Sequence, residues 1–532
     1  MTAALRAQKE EPWDIIIIGG GATGLGIAVD AASRGLRTLL LEQYDFAKGT
    51  SSRSTKLVHG GVRYLQQGNI KLVTEALHER GILRKNAPHL VKDQSFIVPN
   101  YKWWEGPYYG IGLKVYDWMS GSLGLGPSKM LSKEETLALA PTLDAEGLRG
   151  GVLYHDGQFD DARLAISLAL TAAGQKAVLL NYFRVDSLLK AAGRITGVKA
   201  TDTLAGPSYE IRGRAVINAT GVFTDGILQM DSPGSQPIIA PSQGVHIVLD
   251  KKFLPGEAAI LVPHTDDGRV LFAVPWHDKI IIGTTDTPVN KVTAEPRAFP
   301  EEIDFILEQI GKYLTETPTR KDIRSVFAGL RPLVKSSSKK TAELSRDHLI
   351  AVSPSGLITI AGGKWTTYRR MAEDTVNTAI EKAGLPDSPC RTADLPLRGS
   401  TATGVPAGSS IPVTDFHAPL YYYGSDAPAV RALTKADPSL ALPLHERLPY
   451  LRAEIIWAAR EEMCLTVEDA LSRRTRALLL DADAAVASAP LVAALLAKEL
   501  GKDEEWQEQQ VQSFRETAAG YQVNNPLNTA IA

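Results

Sequence analysis

The sequence has few of the features that mark secreted, metal-binding or nucleic-acid-binding proteins. Its 532 residues include only two cysteines, Cys390 and Cys464, which lie far apart and match no metal or redox spacing. A reducing compartment is the simplest interpretation, although pairing of the two stays open. Lysine and arginine number 58 against 60 for aspartate and glutamate, so no net field points to nucleic acid or to an acidic partner. Any basic site must therefore be local.

Long apolar runs are also missing. No stretch of eighteen consecutive apolar residues occurs, and the nearest one, from Ala484, is interrupted by serine and proline and is typical of a buried or amphipathic helix. The N-terminal stretch MTAALRAQKEEPW is short and charged and has no apolar core, unlike a signal peptide. We therefore expect neither a signal peptide nor a membrane span.

A length of 532 residues predicts two or three domains. The order of strand-like, turn-like and helical patterns predicts an α/β protein with three parts: a nucleotide-binding domain assembled from separate segments, a β-rich substrate domain inserted in it, and an all-α C-terminal domain. The predicted bounds are 12–100, 150–235 and 340–385 for the nucleotide-binding domain, 101–149 and 236–339 for the substrate domain, 386–415 for a linker rich in Gly, Pro, Ser and Thr, and 416–525 for the helical domain.

A glycine motif follows the first apolar run. Gly19, Gly21 and Gly24 form G-x-G-x-x-G between a predicted strand and a predicted helix. The first glycine allows a tight turn, the second lets backbone approach a pyrophosphate, and the third lets the helix pack on the strand. The helix N-terminus offers N–H groups to phosphates, and Glu42 ends the next strand, where a carboxylate can bind ribose hydroxyls. Glycines alone indicate only a turn, but the whole pattern predicts dinucleotide binding.

Three later segments favour FAD over NAD. A simple NAD dehydrogenase would continue with further strand–helix units, whereas small polar and glycine-rich turns follow here. The helix after the turn GGK would stabilise negative charge on a reduced flavin through its dipole. Each segment also has a plainer interpretation, as a capped loop or a strand-ending turn. The candidate cofactor contacts in these segments are Thr50, Ser51, Ser52, Thr55, Ala219, Gly221, Gly363 and Thr366.

An ordered set of motifs resembles the FAD-dependent glycerol-3-phosphate dehydrogenases, from about Trp13 to Lys382. The motifs are IIIIGGGATGLGIAVDAASRGL, TSSRSTKLVHGGVRYL, NATG, IIGTTD, AGLRPL, SRDH and GGKWTTY, and DALSRRTRALLLD is similar to the family's C-terminal domain. The resemblance implies a glutathione-reductase-like FAD-binding Rossmann domain and a substrate domain on an antiparallel sheet. It also implies oxidation of sn-glycerol 3-phosphate to dihydroxyacetone phosphate, with electrons passed to ubiquinone or menaquinone in a membrane.

The resemblance assigns the substrate phosphate to a few cationic residues. Arg331 and Arg346 are the phosphate-binding candidates, together with Lys364 and Arg63, because a planar guanidinium binds phosphate oxygens in pairs. Arg63 and Tyr64 lie in RSTKLVHGGVRYL, where positive charge is concentrated directly after the nucleotide turn. We interpret that charge as serving the substrate rather than the cofactor. For any single arginine, a structural ion pair is the plainer interpretation.

The chemistry also needs a base for the hydroxyl proton at C2 of the substrate. His246 is the candidate by type and by its place in the family pattern, although a lone strand histidine is more often a core residue. Arg331 or Lys364 would otherwise orient the alkoxide, with water as the proton acceptor. His59 and the following glycine pair would lie against the flavin. Thr285 is a candidate substrate or flavin contact, with turn capping as its alternative.

The sequence departs from the family at two points. The family often has lysine and serine where this chain has Gln243 and Val245, which leaves the polar surroundings of His246 open. No calcium-loop pattern follows the helical domain, so we expect no calcium control. We expect no metal.

Other readings of partners and function stay open. The stretch YKWWEGPYYGIGLKVYDWM, from Tyr101, is typical either of a membrane-interfacial surface or of a buried aromatic cluster. We expect peripheral association with the cytoplasmic face of the cell membrane, a homodimer and no nucleic-acid partner. The rival functions are a glycerol-3-phosphate oxidase that uses oxygen, an FAD amino-acid oxidase or dehydrogenase, and a non-catalytic FAD protein.

Overall fold

The computed structural model describes residues 11–61, 70–120, 124–335, 348–401 and 414–523. Its strands, in chain order, are β1 (Trp13–Ile18), β2 (Thr38–Leu41), β3 (Leu57–Val58), β4 (Val91–Asn100), β5 (Lys129–Leu131), β6 (Gly150–Phe159), β7 (Val178–Leu180), β8 (Phe183–Ala191), β9 (Arg194–Asp202), β10 (Ser208–Asn218), β11 (Ile239–Asp250), β12 (Ala259–Val262), β13 (Leu271–Trp276), β14 (Lys279–Gly283), β15 (Thr287–Pro288), β16 (Ile323–Val334), β17 (His348–Val352) and β18 (Leu357–Gly362). Its helices are α1 (Ala22–Ser33), α2 (Ile70–Asn86), α3 (Glu105–Ser120), α4 (Lys133–Leu139), α5 (Asp161–Gly174), α6 (Thr224–Asp231), α7 (Pro300–Gly311), α8 (Tyr368–Ala383), α9 (Ala427–Ala436), α10 (Arg452–Glu461), α11 (Val467–Asp469), α12 (Ala477–Leu480), α13 (Ala482–Leu500) and α14 (Glu504–Ala518).

The first sheet is built around the apolar strand β1. Its order is β17-β18-β10-β1-β2-β7, and β1 lies parallel to both β10 and β2. A central parallel strand is covered on both faces, which is why β1 is almost continuously apolar. Ile15 and Ile17 pack in one core with α1 and α8, whereas Ile16 and Ile18 face a second core with Phe183 of β8. The sheet therefore has the layers expected of a nucleotide-binding domain.

The second sheet is largely antiparallel and forms the other wall of the site. Its order is β15-β11-β14-β13-β12-β4-β6-β3, with β16 on β11 and β5 on β6. Val245, Ile247 and Leu249 of β11 pack in one apolar core with the residues of α7. Because successive side chains of a strand alternate between faces, His246 is directed to the face opposite α7. On that face His246 lies beside apolar residues that pack in the core of the first domain, among them Val248 and Phe327.

Three strands belong to a different sheet from the one expected. Strand β4 pairs with β6 along its whole length, from Val91 opposite Phe159 to Asn100 opposite Gly150, and the short β3 also pairs with β6. All three therefore lie in the second sheet and not, as the predicted bounds at 100 and 150 had it, with the nucleotide-binding domain. Sheet membership is set by long-range pairing, which local sequence patterns do not encode.

The C-terminal helices share a core with the first sheet rather than forming a separate body. Leu164 and Leu168 of α5 pack in the same apolar cluster as Tyr450 and Leu478 of the helical region. Part of the predicted linker also packs on the first domain, since Leu397 donates its N–H to the carbonyl of Asn86 at 3.0 Å. Cys390 and Cys464 are free thiols. None of the helices in the described part of the chain has the length and apolar composition of a membrane span.

Candidate active site

A cavity of about 670 Å³ is lined by residues of both sheets, at the C-terminal ends of β1, β2, β10 and β18. Most of the predicted site residues meet there. The predicted residues that line it are Gly19, Gly21, Glu42, Thr50, Ser51, Thr55, His59, Ala219, Gly221, His246, Arg331, Gly363, Lys364 and Thr366. Gly24, Ser52 and Thr285 are not among the lining residues. Arg63, Tyr64 and Arg346 lie outside the described residues, so their roles stay predictions.

The glycine turn has the close contacts that its motif predicts. Gly19 has φ +111°, and a Cβ atom there would lie 2.6 Å from the carbonyl oxygen of Ala219. A Cβ atom at Gly24 would overlap the carbonyl oxygen of Gly19, so this glycine lets α1 pack on the turn. Gly21, Ala22 and Thr23 bring the N-terminus of α1 to the cavity. This end of the cavity can therefore receive an anionic group.

Glu42 closes the same end of the cavity. Its carboxylate accepts hydrogen bonds from the backbone N–H of Gly20 at 2.6 Å and of Tyr44 at 2.9 Å. Burial raises the pKa of Glu42, and these two N–H groups oppose that effect. The side chain is thus fixed beside the glycine turn, where a ribose would need an acceptor.

The Thr50–Thr55 segment joins the two sheets. Ser51 Oγ accepts the N–H of Ala22 at 2.9 Å, and Thr50 Oγ1 donates to the carbonyl of Leu330 on β16 at 2.5 Å. Ser52 is buried, and its carbonyl accepts from Lys56 Nζ at 2.7 Å. The segment therefore holds α1 and β16 on opposite sides of the cavity, and Ser52 contributes to its support rather than to its wall.

The third predicted cofactor segment approaches the first one directly. Gly362 and Gly363 have φ of 77° and 76°, and a Cβ atom at Gly363 would overlap the Met371 side chain. Trp365 Nε1 donates to the carbonyl of Ser51 at 2.9 Å. The turn that precedes α8 is thereby packed against the polar loop, as expected for segments that share one ligand.

His246 lies at the other end of the cavity. It is 2 % exposed, its Nε2 lies 2.9 Å from Thr55 Oγ1, and its ring stacks on Phe327 with centroids 4.8 Å apart. Its Nδ1 has no hydrogen-bond partner among the residues that the structure describes. Burial, and then the positive charges of Arg331 and Lys56, hold the pKa of His246 well below its usual value. The imidazole is therefore neutral at neutral pH.

Arg331 is fixed by the strand edge next to His246. Its Nη2 donates to Thr284 Oγ1 at 3.0 Å and to the carbonyl of Thr285 at 2.9 Å, and its Nη1 lies 3.2 Å from Asp286 Oδ1. A Cβ atom at Gly244 would overlap the guanidinium, so only glycine leaves room for it. Arg331 thus presents an oriented and partly neutralised cation at the cavity wall.

Thr285 and Gln243 have supporting positions. The Thr285 hydroxyl donates to Glu302 at 2.8 Å and accepts from the N–H of Val245 at 3.0 Å. Its predicted contact with substrate or flavin is replaced by these bonds, and its carbonyl holds Arg331 instead. Gln243, at the position where the family often has lysine, donates to Glu302 at 2.8 Å and is buried.

The positive charge of the RSTK stretch has a structural role that the sequence interpretation missed. Arg53 Nη2 lies 2.7 Å from Glu295 Oε2, and Lys56 Nζ lies 2.7 Å from Asp161 Oδ1 with both side chains fully buried. No signal in the sequence identifies these partners, because both are distant along the chain. Of the three charged or ring-bearing site candidates in this stretch, His59 lines the cavity, and Arg63 and Tyr64 lie outside the described residues.

Comparison with known proteins gives the family. The family model for FAD dependent oxidoreductases matches residues 14–369, and the model for the C-terminal domain of alpha-glycerophosphate oxidase matches residues 390–507. The mitochondrial glycerol-3-phosphate dehydrogenase of Homo sapiens is 42% identical, over 96% of this chain and 74% of that protein. The chain belongs to the FAD-dependent glycerol-3-phosphate dehydrogenase family. The Schizosaccharomyces pombe (strain 972 / ATCC 24843) mitochondrial member is 39% identical over 96% of this chain and 88% of its own length.

A solved structure of the family agrees with the fold. The glycerol-3-phosphate dehydrogenase of Bacillus halodurans complexed with FAD has a TM-score of 0.79 and 31% identity, covering 99% of this chain and 98% of that one. The predicted family, the α/β fold with a C-terminal helical region, and FAD as the cofactor are confirmed.

The residues of the cavity fit FAD as this family uses it. The side-chain-free turn at Gly19 and the N-terminus of α1 suit a pyrophosphate, and Glu42 stands where a ribose would lie. The cavity wall also carries the neutral His246 and the oriented Arg331. These residues would hold FAD, which would supply the acceptor for a hydride.

Proposed function

We propose that the chain oxidises sn-glycerol 3-phosphate to dihydroxyacetone phosphate, with FAD as the immediate electron acceptor and a membrane quinone as the final one. The observation that carries this proposal is the presence of a buried neutral histidine and an oriented arginine on adjacent strands of the FAD cavity. An amino acid carries no phosphate dianion, so it would not need cations to bind one. The rival function with an amino-acid substrate is therefore less favoured.

His246 is proposed as the base for the C2 hydroxyl. Its depressed pKa keeps the ring unprotonated at neutral pH, so the ring has capacity to accept a proton. Thr55 Oγ1 lies 2.9 Å from Nε2, which fixes the ring at the cavity wall. FAD, when bound, supplies the acceptor for the hydride that leaves C2.

Arg331 and Lys364 are proposed to bind and orient the substrate. A dianionic phosphate needs compact positive charge, and the guanidinium of Arg331 is held in one orientation by Thr284, Thr285 and Asp286. Lys364 lines the same cavity. Arg63, Tyr64 and Arg346 remain proposed contacts from the family resemblance. If Arg331 instead orients the alkoxide, water replaces His246 as the proton acceptor. The rate of flavin reduction in a His246→Gln variant distinguishes the two cases.

The direct test is the anaerobic absorbance of the bound flavin before and after sn-glycerol 3-phosphate is added. We expect bleaching by that compound, and none by glycerol or by the opposite enantiomer. Glycerol lacks the phosphate, and the opposite enantiomer directs its C2 hydrogen differently. The two compounds are therefore matched controls. A flavin that dithionite reduces but sn-glycerol 3-phosphate does not would contradict the proposed substrate.

The proposal of a membrane quinone is supported by one surface of the molecule. An exposed row begins with Trp104, directly before α3, and continues every three or four residues along the helix with Tyr108, Ile111, Val115 and Trp118. Trp103 and Trp118 are the most exposed, at 77% and 83%. Lys102 and Lys114 flank this row and are also exposed. Tryptophan, tyrosine and lysine on one exposed helix face are typical of a membrane-interfacial surface.

Binding to vesicles tests this surface. We expect the protein to co-sediment with anionic phospholipid vesicles, and the Trp103→Ala/Trp118→Ala variant to lose most of that binding. A Leu204→Ala/Leu442→Ala variant is the control, because those side chains are 55% and 49% exposed elsewhere on the molecule. Equal binding by both variants would contradict the membrane surface.

The acceptor itself needs a separate measurement. A dehydrogenase should reduce a soluble quinone much faster than it consumes oxygen, whereas the rival oxidase should produce peroxide at the rate of substrate oxidation. Association at the cytoplasmic face and the homodimer stay predictions.

A further inference from the structure

The buried side of α3 reaches the predicted flavin loop through Tyr116. Tyr116 is 1% exposed, and its hydroxyl accepts the N–H of Gly60 at 2.9 Å. The same hydroxyl donates to Asp156 Oδ2 of β6 at 2.8 Å. Asp156 Oδ1 in turn accepts from Arg80 Nη1 of α2 at 2.7 Å. Four elements of the chain therefore meet at one buried hydroxyl next to His59.

The direction of these bonds is fixed by chemistry. A backbone N–H only donates, so the Tyr116 oxygen accepts from Gly60 and its own hydrogen goes to the Asp156 carboxylate. Burial and the negative charge of Asp156 raise the pKa of Tyr116 well above its usual value, which keeps that hydrogen in place. The ion pair with Arg80 holds the Asp156 carboxylate where it can accept the hydrogen of the Tyr116 hydroxyl. Arg80 Nη1 also donates to the Tyr116 hydroxyl at 3.4 Å, so this oxygen accepts from Gly60 and Arg80 and donates to Asp156.

This arrangement fixes the backbone on both sides of His59. Val58 is paired with Gly157 in the β3–β6 ladder. The peptide between His59 and Gly60 is held by the hydrogen bond from the Gly60 N–H to the Tyr116 hydroxyl. A Cβ atom at Gly60 would overlap both the Tyr116 hydroxyl and the Leu77 side chain, so the loop fits closely against α2 and α3. A rotation of this peptide would leave a buried N–H without its partner.

We propose that Tyr116 is a positioning residue for flavin reduction, which fixes the His59–Gly60 peptide at the wall of the FAD cavity. His59 lines that cavity, whereas Tyr116 does not, so the effect of Tyr116 passes through the peptide. In a trans peptide the carbonyl points away from the N–H, so the bond to Tyr116 also sets the direction of the His59 carbonyl. The proposal rests on the FAD site and on the oxidation proposed above.

The test is the Tyr116→Phe holoenzyme, with Tyr109→Phe as its matched control. Tyr109 lies on the same helix and is 9% exposed, and its hydroxyl lies 2.8 Å from His264 Nε2 rather than near the flavin loop. We expect the rate constant of anaerobic flavin reduction by sn-glycerol 3-phosphate to fall about tenfold in Tyr116→Phe and by less than about twofold in Tyr109→Phe. We also expect the visible circular dichroism of the bound flavin to change in the first variant alone.

A purely structural role gives a different result. Tyr116→Phe would then lose thermal stability while its flavin kept the wild-type circular dichroism and reduction rate, and that outcome would overturn the proposal. If this variant does not fold, 3-fluorotyrosine at position 116 retains the ring and hydroxyl. Its fluorine resonance should shift when dithionite reduces the flavin, and 3-fluorotyrosine at position 109 should not respond. An unchanged resonance at 116 would overturn the proposal as well.

Dithionite separates this proposal from the proposed substrate. If sn-glycerol 3-phosphate fails to bleach even the wild-type flavin, the proposed function fails. The circular dichroism and fluorine comparisons still decide the role of Tyr116, because neither requires substrate.

Discussion

Arg474 and Asp45 form a two-point ion pair, in which Nη1 lies 2.7 Å from Oδ2 and Nη2 lies 2.9 Å from Oδ1. Both side chains are fully buried, and Arg473 Nε contacts the same carboxylate at 2.5 Å. Asp45 follows β2 in the segment that begins with Glu42, whereas both arginines belong to the C-terminal helical region. The helical region therefore holds the segment that carries Glu42 to the cofactor cavity.

Removing the charge of Asp45 should destabilise the fold and weaken FAD binding. Asp45→Asn leaves the buried guanidinium of Arg474 without its close counter-charge, whereas Arg473 keeps Glu468 and Asp469. We therefore expect the free energy of unfolding to fall by about 3–5 kcal/mol. Chemical denaturation measures this change, and release of FAD on dilution measures the second effect. The control is Glu11→Gln, which breaks an exposed pair with Arg37 and should cost less than about 1 kcal/mol. Similar losses in both variants would contradict this role of Asp45.

The ion pairs around Glu468 should make stability depend on acid pH. Burial alone would raise the pKa of Glu468, but Arg473 and Lys48 lower it from 4.5 to about 2. A carboxyl whose pKa is lower in the folded state stabilises the fold above its unfolded pKa, and that contribution is lost as pH falls from about 4.5 toward 2. We expect Tm to fall across this window, and to fall less steeply in Glu468→Gln. The exposed Glu446→Gln variant should keep the wild-type pH dependence.

The cofactor end of the site could be predicted from sequence because its determinants are local. Gly19, Gly24 and Glu42 lie within one strand–turn–helix–strand unit, so spacing alone indicated the turn, the helix contact and the position of the acid. His246 was proposed by residue type and by its place in the family pattern, and the structure places it at the cavity wall. Local spacing was sufficient only for the cofactor end.

The remaining features depend on contacts between distant segments. The partners of Arg53 and Lys56 are Glu295 and Asp161, and no local pattern distinguishes a buried structural cation from one that binds a ligand. Thr285 follows a strand end, as a ligand contact would, yet Glu302 on α7 takes its hydroxyl. Sequence spacing carries no information about which helix packs behind a strand.

His246 and Thr55 should control the rate and the pH dependence of flavin reduction. We expect His246→Gln to bind FAD but to reduce the flavin about 100-fold more slowly in anaerobic stopped flow, because a positioned base is lost. In the wild type the pKa of His246 lies well below its usual value of 6.5. The ring therefore stays neutral at pH 6.5, and the rate of flavin reduction should begin to fall only at lower pH. Thr55→Val should slow reduction, and Thr55→Ser should restore it, since the hydroxyl holds Nε2. A His246→Gln rate within twofold of wild type would favour water as the proton acceptor.

Arg331 should affect substrate binding in a way that its neighbour Arg53 does not. Both arginines line the cavity, but Arg53 is paired with Glu295 and donates to the carbonyl of Ala294, which commits it to holding the wall. Arg331→Met removes a charge-assisted contact, so we expect the sn-glycerol 3-phosphate concentration for half-maximal flavin reduction to rise at least about tenfold. Arg53→Met should lower Tm and leave that concentration within about twofold, because it acts on the fold rather than on the ligand. If the two variants raise the half-saturating concentration equally, phosphate binding is not specific to Arg331 and the cavity responds to any loss of positive charge.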